Sequence, residues 1–365
     1  MAALTHRERF LRTLRYEPVD RRPVYLAGPW HDTLARWHKE GLPADVTDVH
    51  EYLRVKGSGY QITNITPVAG LYPLFEQQVL REEGEFIFKR DDYGRTVRDF
   101  KAHTSLPEWL DFPVKGPADL RRLLDEHFDV TNLDARFAPD WADKARAAEA
   151  RGDIVLIDGG CYYWTLRSVA GVAGASYLLY DSPDLVDELC ERYFAVVMEG
   201  LRRAVKIVKV DLIGFGEDFA FKTGPLLSPE MFRRFIQPRY AKAMALAREH
   251  GIDLAWHDSD GDCRLLLPDM LAAGVNGTVP CEVAAGMDPV ALRQRFGRDL
   301  RMGGGFDKRI VAQRPEAVRS ELQRLAPVIR EGGFVPGIDH SVPADVSWDQ
   351  YRSYLDLLIA ATGQQ

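Results

Sequence analysis

Leu254-Ala255-Trp256-His257-Asp258-Ser259-Asp260-Gly261-Asp262-Cys263 decides how this chain is read. An apolar run with the content of a buried strand stops abruptly, and a histidine, three aspartates and a glycine follow. Carboxylates and an imidazole crowded at the end of a core strand desolvate or repel one another unless a cation, a proton or a substrate offsets the cost. The plainer reading is a solvated turn, for which Asp, Ser and Gly are good residues. Recurrence of the pattern separates the two.

The pattern recurs along the chain. Residues 154–157 lead to Asp158-Gly159-Gly160, residues 212–216 to Glu217-Asp218, and residues 275–280 to Cys281-Glu282. Residues 300–305 lead to Phe306-Asp307-Lys308, and residues 334–338 to Asp339-His340. Amphipathic stretches at 183–207, 229–250 and 314–330 are long enough for crossover helices, and residues 23–28 have the content of a first core strand. Upstream, Thr5 and Glu8 have the spacing of a capping box, with Phe10, Leu11 and Leu14 as the apolar stripe of a first helix.

Repeated strand and helix units predict either a doubly wound sheet or an eight-stranded barrel. The strands are spread over the whole length without a composition break, and no Gly-x-Gly-x-x-Gly opens a helix, so the barrel is favoured. Gly303-Gly304-Gly305 is compatible with a phosphate cradle and equally with backbone passing close to a neighbour. The expected fold is α/β, a single (β/α)8 barrel over residues 1–365. A β-hairpin is inserted at residues 78–103, where polar and apolar residues alternate around the turn Asp91-Asp92-Tyr93-Gly94-Arg95. Barrel strands exit at one face, so Asp158, Glu217, His257, Asp258, Asp260, Glu282, Asp307, Asp339 and His340 are expected to converge there.

Composition bounds the function. The 365 residues are 46% hydrophobic, with a formal net charge of −7. That is enough to bury a large core and is the wrong sign for a nucleic-acid binder. No apolar run approaches the roughly 20 residues of a membrane span, and the first residues lack the apolar region of a signal peptide, so a cytoplasmic location is expected. The four cysteines, Cys161, Cys190, Cys263 and Cys281, have no paired spacing and read as free thiols.

Asp258 and Asp260 are two apart, so extended backbone points both to one side, where they could share a cation with His340; in a tight loop they would instead make Asx turns. His257 reads as an orienter, a pocket wall or a ligand. Glu217, followed by Asp218, reads as a ligand, a general base or a helix N-terminal acid, and Glu282 has the same readings. Tyr163 and Trp164 read as an aromatic wall or as core. Tyr93, on the hairpin turn, Lys222, which could hold an anionic group, and Cys281 complete the candidates.

The chain resembles the uroporphyrinogen decarboxylase superfamily, which includes corrinoid-dependent methyltransferases. Thr5-His6-Arg7-Glu8-Arg9-Phe10 through Glu17-Pro18-Val19-Asp20-Arg21-Arg22-Pro23-Val24 resembles the family's opening helix and strand. Asp158-Gly159-Gly160-Cys161-Tyr162-Tyr163-Trp164-Thr165 resembles its glycine-aromatic-Thr segment, and Gly333-Phe334-Val335-Pro336-Gly337-Ile338-Asp339-His340 its last strand and loop. The resemblance implies a (β/α)8 barrel, often dimeric. The arginine-rich Arg-Gln-Ala-Gly-Arg segment that holds the decarboxylase's tetrapyrrole carboxylates is replaced here by Leu26-Ala27-Gly28-Pro29-Trp30-His31. In the methyltransferases a His-x-Cys-Gly motif and a cysteine of the last loop bind zinc. By register on the glycine, Asp258-Ser259-Asp260-Gly261 stands in the first position and Asp339-His340 in the second, with carboxylate and imidazole in place of thiolates.

The resemblance therefore implies a metal-dependent methyltransferase of one-carbon or demethylation metabolism. Its divalent ion, zinc before others, would be held by Asp258, Asp260 and His340. Catalysis is expected from His340, Asp260 and Glu217, and substrate contact from Tyr163, Trp164, His257, Asp339, Glu282 and Lys222. A small-molecule substrate, a corrinoid (cobalamin) carried on a partner protein and a homodimer go with it. The alternative is a metal-free decarboxylase of a small or tetrapyrrole carboxylate, in which His340 and an acid such as Asp260 manage the proton.

Overall fold

The computed structural model describes residues 4–54, 59–101 and 107–363. The core is a curled parallel sheet of seven strands: β1 (Ile62–Asn64), β6 (Ile154–Gly160), β7 (Leu212–Gly216), β10 (Ala255–Asp258), β11 (Gly277–Val279), β12 (Arg301–Phe306) and β13 (Phe334–Ile338), hydrogen-bonded in that order. Apart from β1, these strands are largely buried on both faces, which is why they read as near-continuous apolar runs. Residues 23–28 take the eighth position: Tyr25 pairs parallel with Gly337, and its N–H donates to the Pro336 carbonyl at 2.8 Å. Helices lie between and after the core strands from β6 onward, among them Tyr162–Asp181, interrupted at Gly171, then Pro183–Ala204, Gln237–Glu249, Pro315–Glu331 and Trp348–Thr362.

The opening helix, His6–Leu14, starts with the expected capping box between Thr5 and Glu8. It closes the N-terminal end of the barrel: Phe10, Leu11 and Leu14 pack with Ile154, Leu212, Leu254 and Val335. The Phe10 ring lies 4.5 Å from that of Tyr60 and 5.4 Å from that of Trp256. This packing fills much of that end of the barrel.

In place of a single hairpin, four antiparallel strands form a separate sheet: β2 (Gln78–Glu83), β3 (Phe86–Arg90), β4 (Thr96–Phe100) and β5 (Glu108–Asp111). The turn at Asp91–Arg95 joins β3 to β4, with the Asp91 carboxylate accepting the N–H groups of Tyr93 and Arg95. The sequence hides a second turn, because Gly84, at φ 55, reverses the chain inside what reads as one polar run. Residues 102 and 103 lie outside the described residues. A short ribbon, β8 (Ala220–Phe221) with β9 (Gly224–Pro225), follows β7.

Glycines let the backbones close up. Gly303, Gly304 and Gly305 form part of buried β12. A Cβ at Gly303 would stand 3.1 Å from the Trp256 ring, and one at Gly305 would overlap Pro289. The run is therefore a packing device and not a phosphate cradle. Gly337 is more demanding still, since its Cβ would overlap the Tyr25 carbonyl, where the first segment meets β13. Gly337→Ala is expected to lower stability by roughly 2–3 kcal/mol through overpacking, seen as an earlier denaturant midpoint.

Candidate active site

Strand alternation sorts the residues of β10. Trp256 and Asp258 face the barrel interior, where both line a cavity of about 650 Å³. His257 falls on the other face, fully buried, stacked on Phe219 at 4.7 Å, with no hydrogen-bond partner on either ring nitrogen among the described residues. Burial pushes its imidazole down to about 3, so it stays neutral as a packing group, and the pocket-wall role expected of it is not the one it has. Beyond the strand, Ser259 Oγ accepts the Phe219 N–H at 3.1 Å. Asp260 pairs with His340 (Oδ2 to Nε2, 3.2 Å), and Asp262 with Arg264 at 2.8 Å. Of the three clustered aspartates, Asp258 alone has a carboxyl with no hydrogen bond or ion pair among the described residues.

The cavity lies between the first segment and the strand exits. Its walls are Tyr25, Leu26, Tyr60, Ile62, Asn64, Leu156, Asp158, Gly214, Gly216, Trp256, Asp258 and Val279, with Asp48 and Gln61 at one side. Gly214 pairs with Asp158 and Gly216 with Asp258 across the sheet. These two glycines of β7 carry no side chain into the space between the carboxyls, and a Cβ at Gly216 would meet nothing within 4 Å. A second cavity of about 330 Å³ shares Tyr25, Leu26 and Asp258 and adds Asp260, Pro280, His340 and Ser341 toward the mouth. There the rings of Trp30, which is exposed, and His340 lie 5.9 Å apart.

Among the described residues, no lysine or arginine lines either cavity. Asp258 is exposed where it lines both cavities, and partial desolvation there, together with Asp260, Asp218 and Asp158, pushes its carboxyl up to about 7. Burial pushes Asp158 up to about 6, against the pull of Asn64, whose Nδ2 donates to its Oδ1 at 3.0 Å. The Asp260 hydrogen bond raises His340, and His340 in turn lowers Asp260. Acids raised on folding stabilise fully below their unfolded value and lose that contribution as pH rises through about 6 for Asp158 and about 7 for Asp258. Asp258→Asn is therefore expected to stabilise the protein at pH 8 by roughly 1–2 kcal/mol, a figure discounted for solvent in the cavity. The gain should shrink toward pH 4, as denaturant titration at the two pH values will show.

The remaining expected residues go elsewhere. Glu217 is fully buried, and its carboxylate accepts the N–H groups of Tyr162 (2.9 Å), Tyr163 (2.7 Å) and Trp164 (3.2 Å) and the Tyr240 hydroxyl (2.9 Å). It caps the helix Tyr162–Asp181 and touches no cavity. Burial pushes it up to about 7 against those four bonds. Tyr163 is core, where burial pushes its hydroxyl up to about 12, and Trp164 packs edge-on against Trp109. Asp339 is fully buried and spends its two oxygens on the N–H groups of Val283 and Lys308, both 2.9 Å. Glu282 accepts the Gly261 N–H at 3.2 Å and lies 3.4 Å from Lys308 Nζ. Lys222 sits on the exposed tip of the β8–β9 ribbon. Asp307 pairs with Arg309, and Cys281 is a buried free thiol.

Asp258, Asp260 and His340 all line the second cavity but do not make a metal donor set as they stand. His340 Nε2 is engaged by Asp260 while Asp258 stands apart. Among the described residues, no group of three or more His, Cys, Asp or Glu side chains is arranged to hold an ion. Tyr25, Tyr60 and Asn64 were not among the candidates. Tyr60 and Asn64 carry no local signal, and Tyr25 read only as part of a core strand.

A family model described as uroporphyrinogen decarboxylase (URO-D) matches residues 163–359. A methyltransferase from Methanosarcina mazei shares the fold, with a TM-score of 0.57 and 15% identity over 98% of each chain. A B12-independent methionine synthase from Shewanella sp. W3-18-1, in complex with selenomethionine, aligns with a TM-score of 0.44 and 12% identity over 93% of this chain and 96% of that one. No curated protein matches the sequence. Among the described residues, no helix is long and apolar enough to cross a membrane.

Proposed function

The chain belongs to the uroporphyrinogen decarboxylase family, and on that premise we propose that it is a methyl-transferring enzyme whose substrate occupies the cavity between Asp158 and Asp258. The carrying observation is the charge of the walls. A decarboxylase must bring a substrate carboxylate into its site, and here that anion would face Asp158 and Asp258 with no lysine or arginine among the described wall residues to offset the repulsion. A methyl donor needs no such cation.

The division of labour follows from position. Asp258 and Asp158 orient the substrate across the gap left by Gly214 and Gly216, while Trp256, packed on Phe10, supports the wall of the cavity. At the mouth, Asp260 keeps His340 in its charged form to higher pH than a lone imidazole, so His340 can give a proton to a leaving group as the methyl departs. No step is routed through zinc, because the donors as placed do not fit it. A corrinoid on a partner protein, when bound, would supply a cobalt centre that accepts the methyl group. The exposed Trp30 ring beside His340 suits the face of such a macrocycle.

The test is transfer of label. ¹³C-methyl donors of three kinds, oniums, ethers and thioethers, are incubated with the protein and reduced cobalamin, and the corrinoid is examined by NMR. Label on the corrinoid from at least one donor is expected. Release of CO₂ from small carboxylic acids with no methyl transfer would overturn the proposal.

A further inference from the structure

We propose that the cavity between Asp158 and Asp258 takes a small organic cation bearing methyl groups on its charged nitrogen or sulfur, held by the Asp258 carboxylate and the rings of Tyr25, Tyr60 and Trp256. The choice of a methylated cation rests on the methyl-transfer reading above; the choice of a cation does not. Asp258 is a carboxylate exposed where it lines the barrel cavity, with no hydrogen-bond or ion-pair partner among the described residues. The acids acting on it, Asp260, Asp218 and Asp158, only add to its isolation. His340 is a positive group that acts on it, and it is already engaged by Asp260. A carboxylate left unpaired beside low-dielectric walls attracts a counter-ion, and a cation lying against it supplies the missing partner.

The walls select the kind of cation. Three aromatic side chains line the same space, and aromatic faces attract a desolvated onium while giving nothing comparable to a neutral or anionic group. Each side-chain amide of the wall already gives one N–H within the protein, Asn64 to Asp158 and Gln61 to the Ile62 carbonyl. A cleft lined by one sign of charge and low-dielectric walls concentrates counter-ions of the other sign. A methylated onium has no N–H groups to satisfy, so its burial demands charge and ring faces and nothing else.

Calorimetry at pH 8 and fixed ionic strength tests the inference with three isosteres: tetramethylammonium, neutral 3,3-dimethylbutanol and anionic pivalate. The cation is expected to bind about tenfold or more tighter than the alcohol, with pivalate not binding. Asp258→Asn should weaken the cation about tenfold or more and leave the alcohol unchanged, and Tyr60→Leu should weaken it several-fold. Asp258→Ser, checked for an intact melt, covers a misfolded Asn variant. Equal affinity for cation and alcohol, binding of pivalate, or an Asp258→Asn affinity within about twofold of wild type would overturn the inference. The two proposals fail separately: label transfer from a neutral methyl ether without cation binding removes the cation alone. Asp258-dependent cation binding with no label transferred from any donor removes methyl transfer alone.

Discussion

Glu217→Ala is expected to destabilise the protein by roughly 3–5 kcal/mol, the largest loss of any single change at the strand exits. The removed carboxylate accepts three successive backbone N–H groups and the Tyr240 hydroxyl, all in a place with no exposure. Those donors begin the helix Tyr162–Asp181, whose first turn has no other acceptor for them. Each buried donor left bare costs roughly 1–3 kcal/mol, with some relief if water enters the space vacated. Glu217→Gln keeps one acceptor oxygen but turns an amide N–H₂ toward an N–H, so a loss of roughly 2 kcal/mol is expected. Denaturant midpoints measure both. If Glu217 were instead a general base, the Gln variant would lose its methyl transfer while keeping its stability; the hydrogen bonds predict the reverse.

Gly216→Phe is expected to abolish ligand binding and turnover, by roughly 100-fold or more, while changing stability by no more than about 1 kcal/mol. A Cβ at Gly216 meets nothing within 4 Å, and Gly216 is paired across the sheet with Asp258, so the ring projects into the open volume beside that carboxyl. Gly214→Ala provides the contrast. Its Cβ would stand 3.0 Å from Asp158 Oδ1 and from Leu156, so it should perturb the packing without filling the cavity. Calorimetry with tetramethylammonium and a thermal melt on the same preparations separate occlusion from unfolding. A Gly216→Phe protein that still binds would move the site out of the barrel interior.

Much of this arrangement was legible in the residues. Apolar runs ending in acids located the core strands β6, β7, β10, β11, β12 and β13, because parallel strands buried on both faces lose the polar alternation that would otherwise mark them. The same continuity hid which face each residue takes. Leu254, Ala255 and Trp256 are all apolar, so nothing local shows that Trp256 and Asp258 turn inward and His257 outward. Glu217 and Asp339 looked like site residues for the same reason that Asp258 did, each standing at a strand exit. They differ from it in their hydrogen bonds, since backbone N–H groups of a helix start or a tight loop satisfy both, whereas no donor among the described residues reaches the Asp258 carboxyl. Asp158 was legible only as one exit acid among several, and its weight comes from Gly214 opposite it, a pairing that depends on register. Tyr25 and Tyr60 lie far apart from Asp258 in sequence and meet it only when the first segment closes against β13.

The most direct test of the central claim, that the substrate sits against Asp258 inside the barrel, is the rate of ¹³C-methyl transfer to cobalamin by Asp258→Asn beside wild type. The same donor and pH 8 are used for both, and folding is checked by melting. Loss of the charge that faces the substrate predicts a fall of roughly 100-fold in a protein that melts no lower than wild type. A rate within about twofold of wild type would contradict the claim, since a charge pair that the bound substrate shields from water is worth more than that.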